Sequence, residues 1–189
     1  MDFRISAYSA IIYAVWNALI TTLDLFNYSK NNILIIIATA IAILAVLTMF
    51  LGYISLAKIN ENRFLKIMSY LQMIFITISI LAIASISLGK SPDKGFLILI
   101  VAAPIIIIDS VINIIFGISL FKLKSVFGRI ILIIGIFYIL APLLSLSNKI
   151  IPFIIVVPNL FEAILFFRAA KIYYNKKPVA TATETSPKN

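Results

Sequence analysis

From Ile33 to Ala57 the chain runs for 25 residues without a charged side chain, and from Ile67 to Leu88 for another 22. A helix needs about 20 consecutive apolar residues to cross the hydrocarbon core of a bilayer. Composition closes the soluble alternative. Hydrophobic residues make up 62% of the 189 positions and charged ones 12%, against roughly 45–50% and 25% in an ordinary globular domain. A water-soluble fold of this size would leave the surplus apolar surface exposed and prone to association.

Four more segments extend the pattern: Phe96 to Phe121, interrupted by Asp109; Ile130 to Leu146; Ile150 to Phe167, containing Glu162; and Ile5 to Leu23. The last is uncharged but diluted by Ser6, Ser9, Asn17, Thr21 and Thr22. By hydropathy alone it reads as a span, an interfacial helix or a signal peptide. Internal repetition favours a span. RISAYSAIIY begins at Arg4, KIMSYLQMIF at Lys66 and RIILIIGIFY at Arg129; YISLAK, GISLFK and AILFFR close the partner segments at Lys58, Lys122 and Arg168. Small residues also recur every four positions along the first segment, at Ser6, Ala10, Ala14, Ala18 and Thr22. Such a stripe lets helix backbones approach closely in lipid, so Ser6, Ala10, Ala14 and Ala18 are the expected helix-packing face.

The expected fold class is all-α, a polytopic transmembrane helix bundle over residues 1–174. Its spans fall at about 5–23, 33–57, 67–88, 96–121, 130–146 and 150–167, arranged as three tandem helical hairpins. The polar residues 175–189 form a disordered cytoplasmic tail. With both termini cytoplasmic, 12 of the 16 basic residues fall on inner segments, and only Lys30, Lys90, Lys94 and Lys149 on outer turns. This bias follows the positive-inside rule and points to a multi-pass protein of the plasma membrane. The net charge of +9 is thereby assigned to a bilayer surface, with no nucleic-acid partner. Asn27-Tyr28-Ser29 is the single Asn-x-Ser/Thr acceptor in the sequence. It lies in the first outer turn, where a glycan on Asn27 would mark the external face.

The chain has no Cys and no His. Disulfides, thiol nucleophiles, imidazole bases and the usual zinc or haem ligands are therefore unavailable. No Gly-rich phosphate loop or nucleophile elbow is present. The expectation is a protein without enzymatic activity or cofactor.

Ionisable groups at membrane depth are costly and normally face a protein interior. Asp109 lies near the middle of its segment, with Asn113 and Gly117 at successive four-residue steps on the same helix face. Asn159 shares a face with Glu162 three residues later. One reading makes Asp109, Asn113, Asn159 and Glu162 a proton or cation site between the second and third hairpins, with Pro104, Pro142, Pro152 and Pro158 freeing nearby carbonyls. The other makes them packing contacts, with Glu162 paired to Arg168 or Lys58 and Gln72 structural.

The stretch from Gly117 to Leu140, GISLFKLKSVFGRIILIIGIFYIL, resembles uncharacterised multi-span membrane proteins of crenarchaea. In those, a small-residue helix end with a Leu-x-Lys-like step precedes Phe-Gly-Arg/Lys-Ile and another apolar run. The resemblance implies an archaeal plasma membrane and carries no functional residue. The leading functional expectation is a membrane subunit or scaffold acting through helix packing, by self-association or with another membrane protein. The alternative is a small proton- or cation-coupled transporter or channel using Asp109 and Glu162.

Overall fold

The computed structural model describes residues 2–23, 32–88, 94–144 and 151–174. Asn27, Lys30, Lys90, Lys149 and the tail over 175–189 lie outside the described residues. Six long helices account for almost everything described: α1 (Phe3–Leu23), α2 (Asn32–Ile59), α3 (Arg63–Leu88), α4 (Lys94–Leu120), α5 (Arg129–Leu144) and α6 (Ile151–Tyr174). A 3-10 turn (Phe121–Leu123) and a one-turn helix (Lys124–Phe127) join α4 to α5. Gly128 then turns the chain at φ +65° and ψ −137°, a conformation that residues with a Cβ adopt only under strain.

Among the described residues, three helical stretches are long and apolar enough to cross a bilayer: Ile35–Ile59, Arg63–Ala82 and Ile107–Phe127. Arg129–Pro142 is a shorter apolar helix. Helix α6 continues to Tyr174, beyond the sequence boundary at residue 167. A helix need not stop where its hydrocarbon-compatible stretch stops.

Each long helix packs against the next in sequence, and α6 returns to α1, so the contacts close into a ring. Among the described residues, packing between the expected hairpins (α2 on α3, α4 on α5, α6 on α1) is at least as extensive as packing within them. The contacts of the described residues do not by themselves single out three hairpin units.

The outside of the ring is apolar, unlike that of a water-soluble bundle. Exposed aliphatic and aromatic residues recur at helical spacing along the outside: Ile5, Tyr8, Ile12, Val15 and Leu19 on α1, and Ile67, Leu71, Ile74, Ile78 and Leu81 on α3. Inside, Ser6, Ser69, Gln72, Ser119, Asn159 and Glu162 are buried among a tight aromatic cluster. Tyr53 meets Phe116 edge-on at 5.1 Å and Phe166 at 4.9 Å, while Phe116 meets Tyr138 at 4.8 Å. Offset and edge-to-face rings at these separations add stabilisation beyond area burial.

Small residues set two of the closest helix crossings. A Cβ on Gly117 would lie 2.5 Å from the Gly135 carbonyl oxygen, and one on Gly135 would lie 2.7 Å from the Gly117 oxygen. At the second crossing, a Cβ on Gly52 of α2 would lie 2.6 Å from Ser6 Oγ of α1 and 2.7 Å from the Phe166 ring of α6. Ser6 donates to the Thr48 carbonyl at 3.1 Å, and the Thr48 hydroxyl donates to Ser9 Oγ at 2.6 Å. Ser6, Ala10 and Ala14 are buried and Ala18 is partly buried. Much of the small-residue stripe is thus covered within the chain itself.

The start of α1, the α2–α3 turn, the α4–α5 junction and the end of α6 gather at one end of the ring. Phe3 and Phe127 both reach the Tyr173 ring, Asn60 hydrogen-bonds the Tyr173 hydroxyl, and Arg4 lies over Tyr174. Arg4, Lys58, Arg63, Lys66, Lys122, Lys124, Arg129, Arg168 and Lys171 belong to this end, whereas Lys94 opens α4 at the other.

The glycine crossing is directly testable. Gly117→Ala and Gly135→Ala press a methyl onto backbone that cannot rotate away. Each should cost about 1–3 kcal/mol, read as a lower thermal-unfolding midpoint in detergent micelles. Unchanged midpoints in both variants would contradict the close approach of α4 and α5.

Candidate functional site: two carboxyl clusters

On α6 the helical period places Asn159, Glu162 and Phe166 on one face and Leu160, Ile164 and Phe167 on the other. The first three are buried and the second three exposed. Glu162 thus projects into the ring, where its Oε1 accepts two hydrogen bonds, from the Tyr53 hydroxyl of α2 at 2.8 Å and the Tyr138 hydroxyl of α5 at 2.6 Å. One carboxyl oxygen therefore joins three helices. Its other oxygen, Oε2, is buried without a hydrogen-bond partner.

Two prolines border this cluster. Pro142 lies inside α5 and Pro158 inside α6. Neither has an amide hydrogen for the carbonyl four residues earlier; for Pro142 that carbonyl belongs to Tyr138.

The second cluster lies between α3 and α4. Asn113 Nδ2 donates to Asp109 Oδ2 at 2.8 Å and to the Asp109 backbone carbonyl at 2.9 Å. Asn113 Oδ1 accepts from Gln72 Nε2 at 2.7 Å. This chain is a consequence of spacing: residues four apart lie one above the other on a helix, and Gln72 reaches them from the neighbouring face of α3. Gln72 Oε1 and Asp109 Oδ1 are buried with no partner.

Most hydroxyls in these helices close back on their own backbone. Ser55, Ser69, Thr77 and Ser79 each donate to the carbonyl four residues earlier, the usual way a helix satisfies a short polar side chain. Among the described residues, only Gln72 Oε1, Asp109 Oδ1 and Glu162 Oε2 are buried side-chain oxygens left over.

The four residues singled out from the sequence therefore divide. Asp109 and Asn113 form one chain with Gln72; Glu162 belongs to the tyrosine cluster, with Asn159 buried one turn before it on α6. Tyrosines, rather than Arg168 or Lys58, are the partners of Glu162. The two clusters share a common interior all the same. The Tyr138 ring packs on Phe116 of α4, the helix that also carries Asp109.

Sequence reasoning misses Tyr53 and Tyr138 and assigns Gln72 no more than a structural part. A signal does exist. Both tyrosines sit inside uncharged stretches, where a hydroxyl has no water and must find a protein acceptor. Among the described residues no three Cys, His, Asp or Glu side chains come together as a metal-ligand group. Carboxyl and amide oxygens are the donor type that suits protons and hard cations. Comparison with protein-family models, with curated proteins and with solved structures finds no match.

The shared acceptor has a clear signature. Tyr53→Phe and Tyr138→Phe should each cost about 1–2 kcal/mol in thermal unfolding. The double variant should lose more than their sum, by about 0.5 kcal/mol or more, because the second substitution removes the last donor to Glu162 Oε1. Strictly additive losses would contradict the shared bond.

Proposed function

We propose that the chain is a six-pass integral membrane protein built from three tandem hairpins, with both termini cytoplasmic, and that it moves a proton or small cation through the ring interior. The outward aliphatic residues on all six helices support immersion in lipid. The basic residues gathered at one end support the proposed orientation.

One observation carries the transport reading: three buried oxygens, on Gln72, Asp109 and Glu162, lack protein partners inside a ring whose outside is apolar. Intramembrane carboxyls of this kind are costly to keep and commonly mark ion or proton pathways. Transport of this sort needs a group that alternately binds and releases charge. Glu162 and Asp109 are proposed for that part, with Gln72 and Asn113 supplying amide oxygens. The activity involves no covalent catalysis and no cofactor.

The second reading is a membrane subunit or scaffold. It is weakened because Ser6, Ala10 and Ala14 are already buried against other parts of the chain. A partner or second copy would have to dock on the outward aliphatic faces instead.

The test is flux in proteoliposomes carrying an imposed proton or monovalent-cation gradient. The protein should dissipate one of these gradients faster than protein-free vesicles do. Glu162→Gln and Asp109→Asn should each reduce the rate by about tenfold or more while leaving the unfolding midpoint within a few degrees. Wild-type flux equal to that of empty vesicles, or unchanged flux in both variants, would contradict transport.

A further inference from the structure

The α2–α3 turn and the α4–α5 junction enclose an open groove of about 520 Å³ at the basic end of the ring. Its walls come from two separate segments, residues 60–64 and 122–126. Asn62 ties them together: its Oδ1 accepts from the Leu65 amide at 3.1 Å, capping α3, and its Nδ2 donates to the Ser119 carbonyl at 3.4 Å. The groove is therefore built before anything enters it.

Each wall contributes a cation, Arg63 from one and Lys122 from the other. Both side chains are exposed, and the Lys122 ammonium stands 5.6 Å from the Phe64 ring centroid. The exposed hydroxyl-bearing Ser125 lines the same space. Glu61 is the one acidic lining residue, and Lys58, Lys66 and Lys124 all lie within three residues of the lining positions. The balance favours an anion. The first turn of α3 adds the positive end of its helix dipole.

The surroundings indicate what kind of anion. Exposed Ile67, Leu71 and Ile74 run away from the groove along α3, and exposed Ile118 and Val111 run along the neighbouring α4. A ligand with a phosphate head and long apolar chains would meet cations at the groove and hydrocarbon-compatible surface beyond it. We propose that this groove binds the phosphate of a membrane lipid. The guanidinium of Arg63 provides a planar pair of donors and Lys122 a compact charge, the two usual modes of phosphate recognition. The proposal rests on the reading that α3 and α4 face acyl chains.

The experiment is native mass spectrometry of the full chain in detergent micelles with phosphatidylglycerol, and with diacylglycerol as the phosphate-free control. A retained phosphatidylglycerol adduct is expected, with little diacylglycerol adduct. The double variant Arg63→Gln with Lys122→Gln should weaken phosphatidylglycerol binding roughly thirtyfold, from the loss of two interfacial charges. Arg168→Gln with Lys171→Gln removes the same charge from the same end and should change binding by less than about threefold.

Equal losses in the two double variants would overturn the site in favour of diffuse attraction. Equal adducts of both lipids, or no adduct, would overturn phosphate recognition. Displacement of the lipid by millimolar inorganic phosphate would overturn the lipid as source and assign the groove to free phosphate. Flotation of the wild-type chain with lipid vesicles tests membrane residence separately, so failure there is distinguishable from failure of the groove.

Discussion

A polar side chain inside an apolar bundle must find its hydrogen-bond partner within the bundle, because the exposed faces of these six helices are largely aliphatic. That constraint organises the interior. Glu162 draws Tyr53 and Tyr138 onto one carboxyl oxygen, which brings α2, α5 and α6 together at a point between the aromatic rings. Asn113 bridges Asp109 and Gln72 and does the same for α3 and α4. Helix α1 joins by another route, with Ser6 and Ser9 meeting Thr48 where Gly52 lets the backbones close. Individual hydrogen bonds between helices in lipid are modest, on average about 0.6 kcal/mol. Their importance here lies in direction: they determine which faces turn inward, and the packing of rings and small residues follows.

Much of this was legible in the sequence, to the extent that the signal was local. The uncharged run at 33–57 falls within α2 (Asn32–Ile59), leaving at most two residues of the helix beyond it at either end, because exclusion of charge from hydrocarbon acts residue by residue. Asp109 and Glu162 stand out for the same reason. Their partners could not be named because those depend on which helices become neighbours, and the closure of α6 onto α1 joins positions more than a hundred residues apart. Tyr53 and Tyr138 look like ordinary members of apolar runs until a carboxyl faces them. Ser6, Ala10 and Ala14 mark a packing face without specifying what packs there. The repeated segment ends suggest hairpins, but a ring in which every neighbour packs closely does not separate one hairpin from the next.

The arrangement also separates two kinds of polar chemistry. Interior oxygens on Gln72, Asp109 and Glu162 are buried without hydrogen-bond partners. Cations cluster at one end, around turns that hold a groove between Arg63 and Lys122. Pro142 and Pro158 interrupt backbone hydrogen bonding next to the Glu162 cluster. The proposed charge exchange in the middle and the proposed lipid binding at one end would use separate parts of the ring.

Everything above depends on hydrocarbon surrounding the whole ring. Nitroxide labels placed singly at Ile12, Ile41, Ile74, Val111, Ile136 and Ile164, one exposed residue on each long helix, measure this directly in lipid vesicles. All six labels should be relaxed strongly by dissolved oxygen and weakly by a water-soluble nickel chelate. Strong relaxation by the nickel chelate on two or more helices would show that those faces meet water, and would contradict a ring immersed in the bilayer.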